Sequence, residues 1–399
     1  MADDVAMSAA DLHAGPALTE AQRRRSLVFV CTAVACLSFA LSLQIGLNQN
    51  FIAQDIGLSG QQAGYLEACR ESCGMVALGV LALLAGLAEP LVAAALLMVF
   101  AIGLAGYSFV HEYVWVILMS LVWSMGLHVW MPLPNSMTLA LAEPGHAGRR
   151  LGQVGAAGSA GFFGGLLTAF VLTKLGVPMR PLYLVAGASA TVAALACLGI
   201  YRRLKTPGPR LVFRRKYGLY YLLCFLDGWR KQVFLCFAGF LLVKKYGTSL
   251  EWMLVLQGIV QLFGYFAAPR VGRLIDRVGE RRVLVAYYSS IMLVFIGYAF
   301  IPNVHVLYGL FIADGAIWVL AMALTTYVGR IAPKAEHTQT LSMGVAMNHV
   351  AAVSMPLVGG LMWAYDYRLT FLVGVVAAVV SVPVVFFVPK HVPVAEARG

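Results

Sequence analysis

Long apolar runs alternate along the chain with short interruptions that are charged, polar or contain proline. A bilayer core about 30 Å thick is crossed by roughly 20 apolar residues in a helix. Cutting the chain at its interruptions predicts twelve membrane-spanning helices, and therefore an all-α integral membrane protein. The predicted spans are 26–46, 62–87, 90–110, 113–140, 152–175, 181–200, 217–243, 252–269, 283–301, 304–328, 340–364 and 369–388.

The most basic interruption divides the chain into two halves of six predicted spans each. It covers residues 201–216, with seven basic residues and no acidic one. The predicted organisation is a polar cytoplasmic tail (1–22), an N-terminal six-helix bundle (23–200), a basic cytoplasmic linker (201–216), a C-terminal six-helix bundle (217–390) and a short tail (391–399). Two bundles of equal span number are typical of transporters built from internal repeats.

Composition supports the membrane assignment, since 60% of the 399 residues are apolar, 12% are charged and the mean hydropathy is +0.80. A soluble globular domain or a disordered chain has far more charge. The 29 Lys and Arg exceed the 18 Asp and Glu, but they gather in alternate loops, as expected where positive charge marks the cytoplasmic side. We expect no nucleic-acid partner and a multi-pass protein of the bacterial cytoplasmic membrane, with both termini inside.

One loop carries a family signature. After the eighth predicted span the chain reads GRLIDRVGERR over residues 272–282, which resembles the Gly-x-x-x-Asp-Arg-x-Gly-x-Arg-Arg motif of the major facilitator superfamily. The resemblance implies two pseudo-symmetric six-helix bundles and a gating role for the motif residues Gly272, Asp276, Arg277, Gly279, Arg281 and Arg282. The corresponding connection of the first half, residues 87–90, offers only Glu89.

Glycines recur at three-residue spacing in the fifth predicted span, from Gly152 to Gly165. Small residues allow close helix packing in lipid, so the first interpretation is structural. The span also resembles the glycine-rich helix of antiporters in the same superfamily, although it lacks that motif's proline. A hinge specific to export is the alternative interpretation.

Ionisable residues inside predicted spans are the main functional candidates, because charge at the bilayer centre is costly and is kept mostly where it serves a pathway. In the seventh span, Asp227 precedes Arg230 and Lys231 by three and four residues, so a neutralised pair on one helix face is one interpretation. Asp227 can neutralise only one of the two cations, so the other is available to bind an anionic solute. Asp314 in the tenth span has no polar neighbour on its own helix and needs a partner elsewhere, for which Arg230 and Lys231 are candidates.

The second, fourth and eleventh spans add further candidates. Glu67 and Glu71 lie one turn apart, and their repulsion is relieved either by Arg70 or by a retained proton. His128 and His349 lie near mid-depth and titrate near physiological pH, so each is a candidate proton relay or a packing residue. A soft-metal site at Cys69 and Cys73 is a minor alternative to simple packing, and we predict no metal site.

No nucleotide-binding loop or catalytic motif occurs in the sequence, so we expect neither an enzyme nor a cofactor. The favoured hypothesis is a monomeric secondary transporter, coupled to protons, that moves a small anionic or zwitterionic solute. Its substrate and coupling residues would be Glu67, Arg70, Glu71, His128, Asp227, Arg230, Lys231, Asp314 and His349. The alternatives are a proton-driven efflux antiporter for drugs or metabolites, and a non-transporting solute receptor with the same fold.

Overall fold

The computed structural model describes residues 18–143, 146–206, 212–333 and 336–390, and these residues form twelve helical segments. In chain order the first six are Glu20–Asp55, Gly60–Leu83, Glu89–Gly106, Tyr113–Leu141, Ala147–Lys174 and Met179–Cys197. The second six are 218–244, Leu250–Val278, Glu280–Phe300, Val304–Ile331, His337–Tyr365 and Tyr367–Val385. The predicted all-α class is confirmed. Most of the predicted tails and the middle of the linker lie outside the described residues.

Ten of the helices are long and apolar enough to cross a membrane. The two that are not are the second, which carries Glu67, Arg70 and Glu71, and the seventh, which carries Asp227, Arg230 and Lys231. The seventh is also interrupted at mid-depth by a π-helical stretch, Val233–Ala238. Such stretches occur frequently at functional sites. The second and seventh helices therefore fall outside the set of apolar spans, and both carry charged residues in their interior.

Three predicted helix ends are wrong by six residues or more. The first helix ends at Asp55 rather than at 46, because the polar residues beyond the apolar run stay helical and a π-helical stretch, Phe51–Asp55, follows them. Capping explains the second difference, at the start of the same helix. The first helix begins at Glu20 rather than at residue 26, because Thr19 and Gln22 form a reciprocal capping box that extends it beyond the apolar run. The eighth helix continues to Val278 rather than ending at 269, since its charged last turns remain helical until Gly279, where φ is +81°. Most of the family-like motif is thus helical, and the connection shrinks to about one residue.

The two halves repeat the same packing scheme. The first helix packs on the fifth, the second on the fourth and the third on the sixth. The same offsets recur as contacts of the seventh helix with the eleventh, the eighth with the tenth and the ninth with the twelfth. This repetition within the described residues is what two pseudo-symmetric six-helix bundles require. Between the halves, the main contact joins the second helix to the eleventh.

The halves meet at one end of the bundle, which we call the far face: the end opposite the first helix's N-terminus. There Asn50 Nδ2 donates to Thr248 O at 2.9 Å, and Lys244 Nζ donates to Gly57 O at 3.1 Å. Lys174 Nζ lies 2.6 Å from Glu251 Oε2. These bonds join the two halves across the far face, so this face is closed.

Candidate functional site

The second helix carries a charged group at the junction between the halves. Arg70 Nη2 donates to Glu71 Oε1 at 2.7 Å, and the Arg70 guanidinium also donates to both carboxylate oxygens of Glu67. Of the two explanations open from the sequence, this geometry favours charge relief by Arg70. One side of the guanidinium is covered by the Trp123 ring, whose centroid is 5.2 Å away.

The second oxygen of Glu71 faces two histidines from other helices. Glu71 Oε2 lies 3.9 Å from His128 Nε2 on the fourth helix and 3.6 Å from His349 Nδ1 on the eleventh. The imidazole rings approach edge to face, with centroids 5.1 Å apart. We call Glu71, His128 and His349 the Glu-His-His cluster. It joins both halves, because His349 belongs to the C-terminal half and the other two to the N-terminal half.

The orientation of His128 is fixed by the turn that precedes it. Its Nδ1 lies 2.9 Å from the Ser124 carbonyl oxygen, which can only accept a hydrogen bond. Nδ1 therefore carries a proton, and Nε2 is the ring nitrogen that faces Glu71. The Ser124 hydroxyl donates in turn to Arg70 O at 2.8 Å. The fourth helix is thus fastened to the second beside the cluster.

Arg230 and Asp314 form the most enclosed ion pair of the described residues. Both side chains have no exposed surface, and the pair joins the seventh helix to the tenth. The rings of Tyr287 and Trp318 lie 5.4 and 6.0 Å from the guanidinium carbon. The prediction that Asp314 needs a partner from another helix is confirmed, and the partner is Arg230.

Asp227 does not form the ion pair with Arg230 and Lys231 that was one interpretation of the seventh span. Asp227 Oδ1 instead accepts a 2.6 Å hydrogen bond from the Tyr287 hydroxyl, since Arg230 turns to Asp314. Lys231 Nζ donates to Asn348 Oδ1 at 2.7 Å. Among the described residues Lys231 makes no ion pair, so it is a cation without a carboxylate at mid-depth.

A small polar cavity lies between the halves, on the far-face side of Arg70. Its lining includes Asn48 and Gln49 of the first helix, Glu67 and Arg70 of the second, and Tyr107 of the third. The Tyr107 hydroxyl is hydrogen-bonded to Ser120. Tyr107 was not a sequence candidate, because a tyrosine in an apolar run carries no signal until its neighbours are known.

Among the described residues, Glu280 is the one member of the family-like stretch 272–282 that forms an ion pair. Asp276 and Arg277 are exposed at the end of the eighth helix, and within the described ranges neither forms an ion pair. The neighbouring buried Glu280 pairs with Arg330 at 2.7 Å, joining the ninth helix to the tenth. Gly272, Gly279, Arg281 and Arg282 flank the same connection. Their gating role stays a prediction.

Other sequence candidates are packed rather than clustered. Gly161 and Gly165 of the fifth helix lie against the backbone of the first helix at Ala35 and Phe39, which supports the structural interpretation of the glycine spacing. Cys69 and Cys73 are both free thiols. Cys73 Sγ lies 3.6 Å from the Leu121 carbonyl oxygen.

Comparisons with known proteins agree with the architecture. The family model described as Major Facilitator Superfamily matches residues 28–326 and 244–399. Among curated proteins none matches the sequence. The fold is similar to that of the nucleoside transporter NupG in its D323A mutant form, with a TM-score of 0.74, 15% identity, and coverage of 90% of this chain and 98% of that one.

A second solved structure with this fold is a bacterial homologue of the human lysosomal transporter Spinster, in an inward-facing and unoccupied conformation. Its TM-score is 0.72 at 13% identity, over 93% of this chain and 98% of that one. At such low identity these structures establish the fold and no more. The family model, by contrast, matches most of the chain. The two repeated six-helix bundles agree with that match. This chain therefore belongs to the Major Facilitator Superfamily of membrane transporters.

Proposed function

We propose that the protein is a proton-coupled secondary transporter that moves a small anionic or zwitterionic solute by alternating access. The observation that carries this proposal is the set of charged side chains at mid-depth on both sides of the junction between the halves. Charged groups are costly to bury in a bilayer, so those that a membrane protein keeps mostly line a substrate or ion pathway. The N-terminal face is assigned to the cytoplasm from the basic loops, so the far face is external.

Lys231 is the proposed contact for the solute's negative charge. Its ammonium group is held by the neutral amide of Asn348 alone among the described side chains, whereas Arg70 and Arg230 are engaged by carboxylates. A solute carboxylate or phosphate would supply the missing counter-charge. The sequence hypothesis assigned this role to Arg230 as well. Arg230 has no exposed surface, so the proposal gives the contact to Lys231 alone.

Asp314 is the proposed carrier of the coupling proton. Its Oδ2 has no hydrogen-bond partner, and Arg230 Nε and Nη1 have none either. A buried ion pair whose polar atoms are only partly satisfied is stabilised weakly against protonation. Asp227 lies three residues before Arg230 and offers it a second carboxylate when Asp314 is neutral. The exchange of partner would couple a proton to movement of the seventh helix against the tenth.

The test is proton movement into proteoliposomes, read by an internal pH dye, while candidate solutes are added singly. The panel holds organic anions, amino acids, nucleosides, sugars and cationic drugs. We expect a pH change with an anionic or zwitterionic solute that is lost in Lys231→Gln. In Asp314→Asn, uptake driven by the gradient should be lost while solute exchange remains.

Asp314→Asn leaves the buried Arg230 charge without its carboxylate, which can destabilise the fold. The double variant Arg230→Gln/Asp314→Asn removes both charges and is therefore the matched control for folding. His111→Asn, at an exposed histidine that makes no described contact between the halves, should transport like the wild type. Unchanged uptake in a folded Asp314→Asn protein would overturn the coupling assignment. A response to cationic or apolar drugs only would replace the proposal with efflux antiport, and binding without any flux would replace it with the receptor.

A further inference from the structure

The Glu-His-His cluster has the donor set of a transition-metal site. Each of its three residues offers one ligand atom: a carboxylate oxygen from Glu71 and one imidazole nitrogen from each histidine. These three atoms lie within 4.8 Å of one another. In a tetrahedral zinc site with bonds of about 2.0–2.2 Å the ligand atoms lie about 3.3–3.5 Å apart. The two measured separations from Glu71 Oε2, 3.6 and 3.9 Å, are already close to this value. Closing the widest gap requires each of two side chains to move by less than about 1 Å.

Neighbouring groups orient the ligand atoms of His128 and Glu71. His128 donates its Nδ1 proton to the Ser124 carbonyl, which is the usual support for a histidine that binds metal through its other nitrogen. Arg70 holds Glu71 Oε1 and so leaves Oε2 for a ligand. Glu67 is paired with the same Arg70 and offsets its charge. The ammonium group of Lys231 is held by Asn348.

His349 supplies an independent indication of a missing ligand. Its Nδ1 is a buried polar atom with no hydrogen-bond partner among the described residues, although it points at Glu71. The His349 side chain is 16% exposed, and those of His128 and Glu71 are 7% and 9% exposed. The facing Glu71 Oε2 is 3.6 Å away, too far for a good hydrogen bond, and a cation bound between the two atoms would satisfy both.

We propose that Glu71, His128 and His349 bind one divalent transition-metal ion of the Zn²⁺, Co²⁺ or Ni²⁺ class. Imidazole nitrogens with one carboxylate suit these ions, while Mg²⁺ and Ca²⁺ prefer all-oxygen sites. Three protein ligands leave a fourth position for water or for a carboxylate of a solute. Because His349 belongs to the other half, the bound ion connects the two halves directly.

The first test is titration of Co²⁺ into purified full-length protein that carries no histidine tag, followed by calorimetry and visible absorption. We expect one ion per chain. Affinity should fall at least tenfold in His349→Asn, and also in His128→Asn and Glu71→Gln. The surface variants His111→Asn and His305→Asn are the matched controls and should bind like the wild type. Melting temperatures without metal establish that each variant is folded.

His349→Asn is the decisive variant, because the wild-type Nδ1 makes no hydrogen bond among the described residues and the substitution removes only its 3.6 Å approach to Glu71. Equal Co²⁺ affinity in this variant and the wild type would overturn the proposal. A thiolate-to-cobalt charge-transfer band would do the same, since it would place the ion on cysteine.

The second test asks whether the ion connects the halves. Cys236 on the seventh helix is buried against the second helix, with Sγ 3.8 Å from Ala63 O. Saturating Co²⁺ should slow its labelling by a polar maleimide severalfold in the wild type and leave it unchanged in His349→Asn. Slowing of equal size in both proteins would contradict a bridge through His349. This result is independent of the transported solute, so the metal site can fail while the transport proposal stands.

Discussion

Gly155 and Gly161 on the fifth helix show how two similar residues can have opposite environments. A Cβ atom at Gly161 would lie 2.0 Å from the Ala35 carbonyl oxygen of the first helix, whereas a Cβ at Gly155 would meet nothing within 4 Å. Helix backbones that approach this closely in lipid depend on the absence of a side chain. The two positions therefore allow the packing role of the spacing to be measured.

We expect Gly161→Ala to lower the unfolding free energy by about 1–3 kcal/mol, because the added methyl group overpacks the contact with the first helix. Gly155→Ala should be neutral or slightly stabilising, since alanine favours the helix by about 1 kcal/mol. Thermal unfolding in detergent measures both variants. Equal melting temperatures would show that the crossing does not depend on Gly161 and would revive the hinge interpretation.

At the scale of residues, the sequence located the charges but not their partners. Glu67 and Arg70 could be paired from their spacing of three residues, because neighbours on one helix face meet wherever the helix goes. Arg230 and Asp314 are 84 residues apart, and only the packing of the seventh helix on the tenth brings them together. The Glu-His-His cluster needs three helices, so neither histidine could be assigned a partner from the sequence.

The linker between the halves is an element fastened at both ends. On the N-terminal side, Gly86 and Glu89 donate their backbone N–H groups to Thr206 and Leu204, and an isolated β-bridge joins Ala88 to Lys205. On the C-terminal side, Glu336 accepts hydrogen bonds from the Tyr217 hydroxyl at 2.6 Å and lies 2.8 Å from Lys216 Nζ. The described ends of the linker are therefore held to the bundles.

Glu336→Gln should release the C-terminal fastening. Hydrogen bonds from Lys216 and Tyr217 lower the pKa of the Glu336 carboxyl below its ordinary 4.5. The carboxylate thus stabilises the contact at neutral pH, and this stabilisation is lost as the pH falls through the lowered pKa. Hydrogen–deuterium exchange of residues 212–217 should rise in Glu336→Gln at pH 7, and in the wild type only below pH 4.5, after correction for intrinsic rates.

Glu251→Gln, which removes the Lys174 contact on the far face, is the matched control and should leave exchange of residues 212–217 unchanged. If Glu336→Gln exchanges at the wild-type rate at pH 7, the fastening does not depend on the carboxylate.

At the scale of elements, the all-α class and ten of the twelve described helices followed from apolar length, because the bilayer imposes that length on a span. Helix ends did not follow. A capping box at Thr19 and the helical charged turns after Pro269 lie outside the apolar runs, so hydropathy could not mark them. The π-helical stretch in the seventh helix, Val233–Ala238, contains no proline, so the sequence did not predict it either.

In the whole molecule, the far face is closed mainly by the second helix lying on the eleventh. A Cβ at Gly64 would lie 2.3 Å from the Pro356 carbonyl oxygen and 2.9 Å from Gly360 Cα. The backbones are therefore in direct contact at this crossing. Alternating access requires the same crossing to separate when the far face opens.

Gly64→Val should shift the population toward conformations open at the far face, because the added side chain cannot fit at the closed crossing. The readout is the rate at which a polar maleimide labels Cys236, which we expect to rise at least severalfold. Gly79→Val is the matched control on the same helix, since a Cβ there would meet nothing within 4 Å. Equal labelling rates in the two variants would contradict this account of closure, and Cys236→Ser defines the background.

The ion pair between the seventh and tenth helices also bears on how the chain enters the membrane during synthesis. Arg230 emerges from the ribosome 84 residues before Asp314, an interval of about 4–17 s at 5–20 residues per second. Throughout that interval the seventh helix holds a guanidinium without its final carboxylate, at an insertion cost of about 2.5–3.5 kcal/mol. Asp227, one turn earlier on the same helix, is the only carboxylate that the seventh helix itself can offer in that interval. The seventh helix therefore obtains its buried counter-charge only when the tenth helix has been made, so the ion pair belongs to the assembly of the C-terminal half and not to the insertion of a single helix.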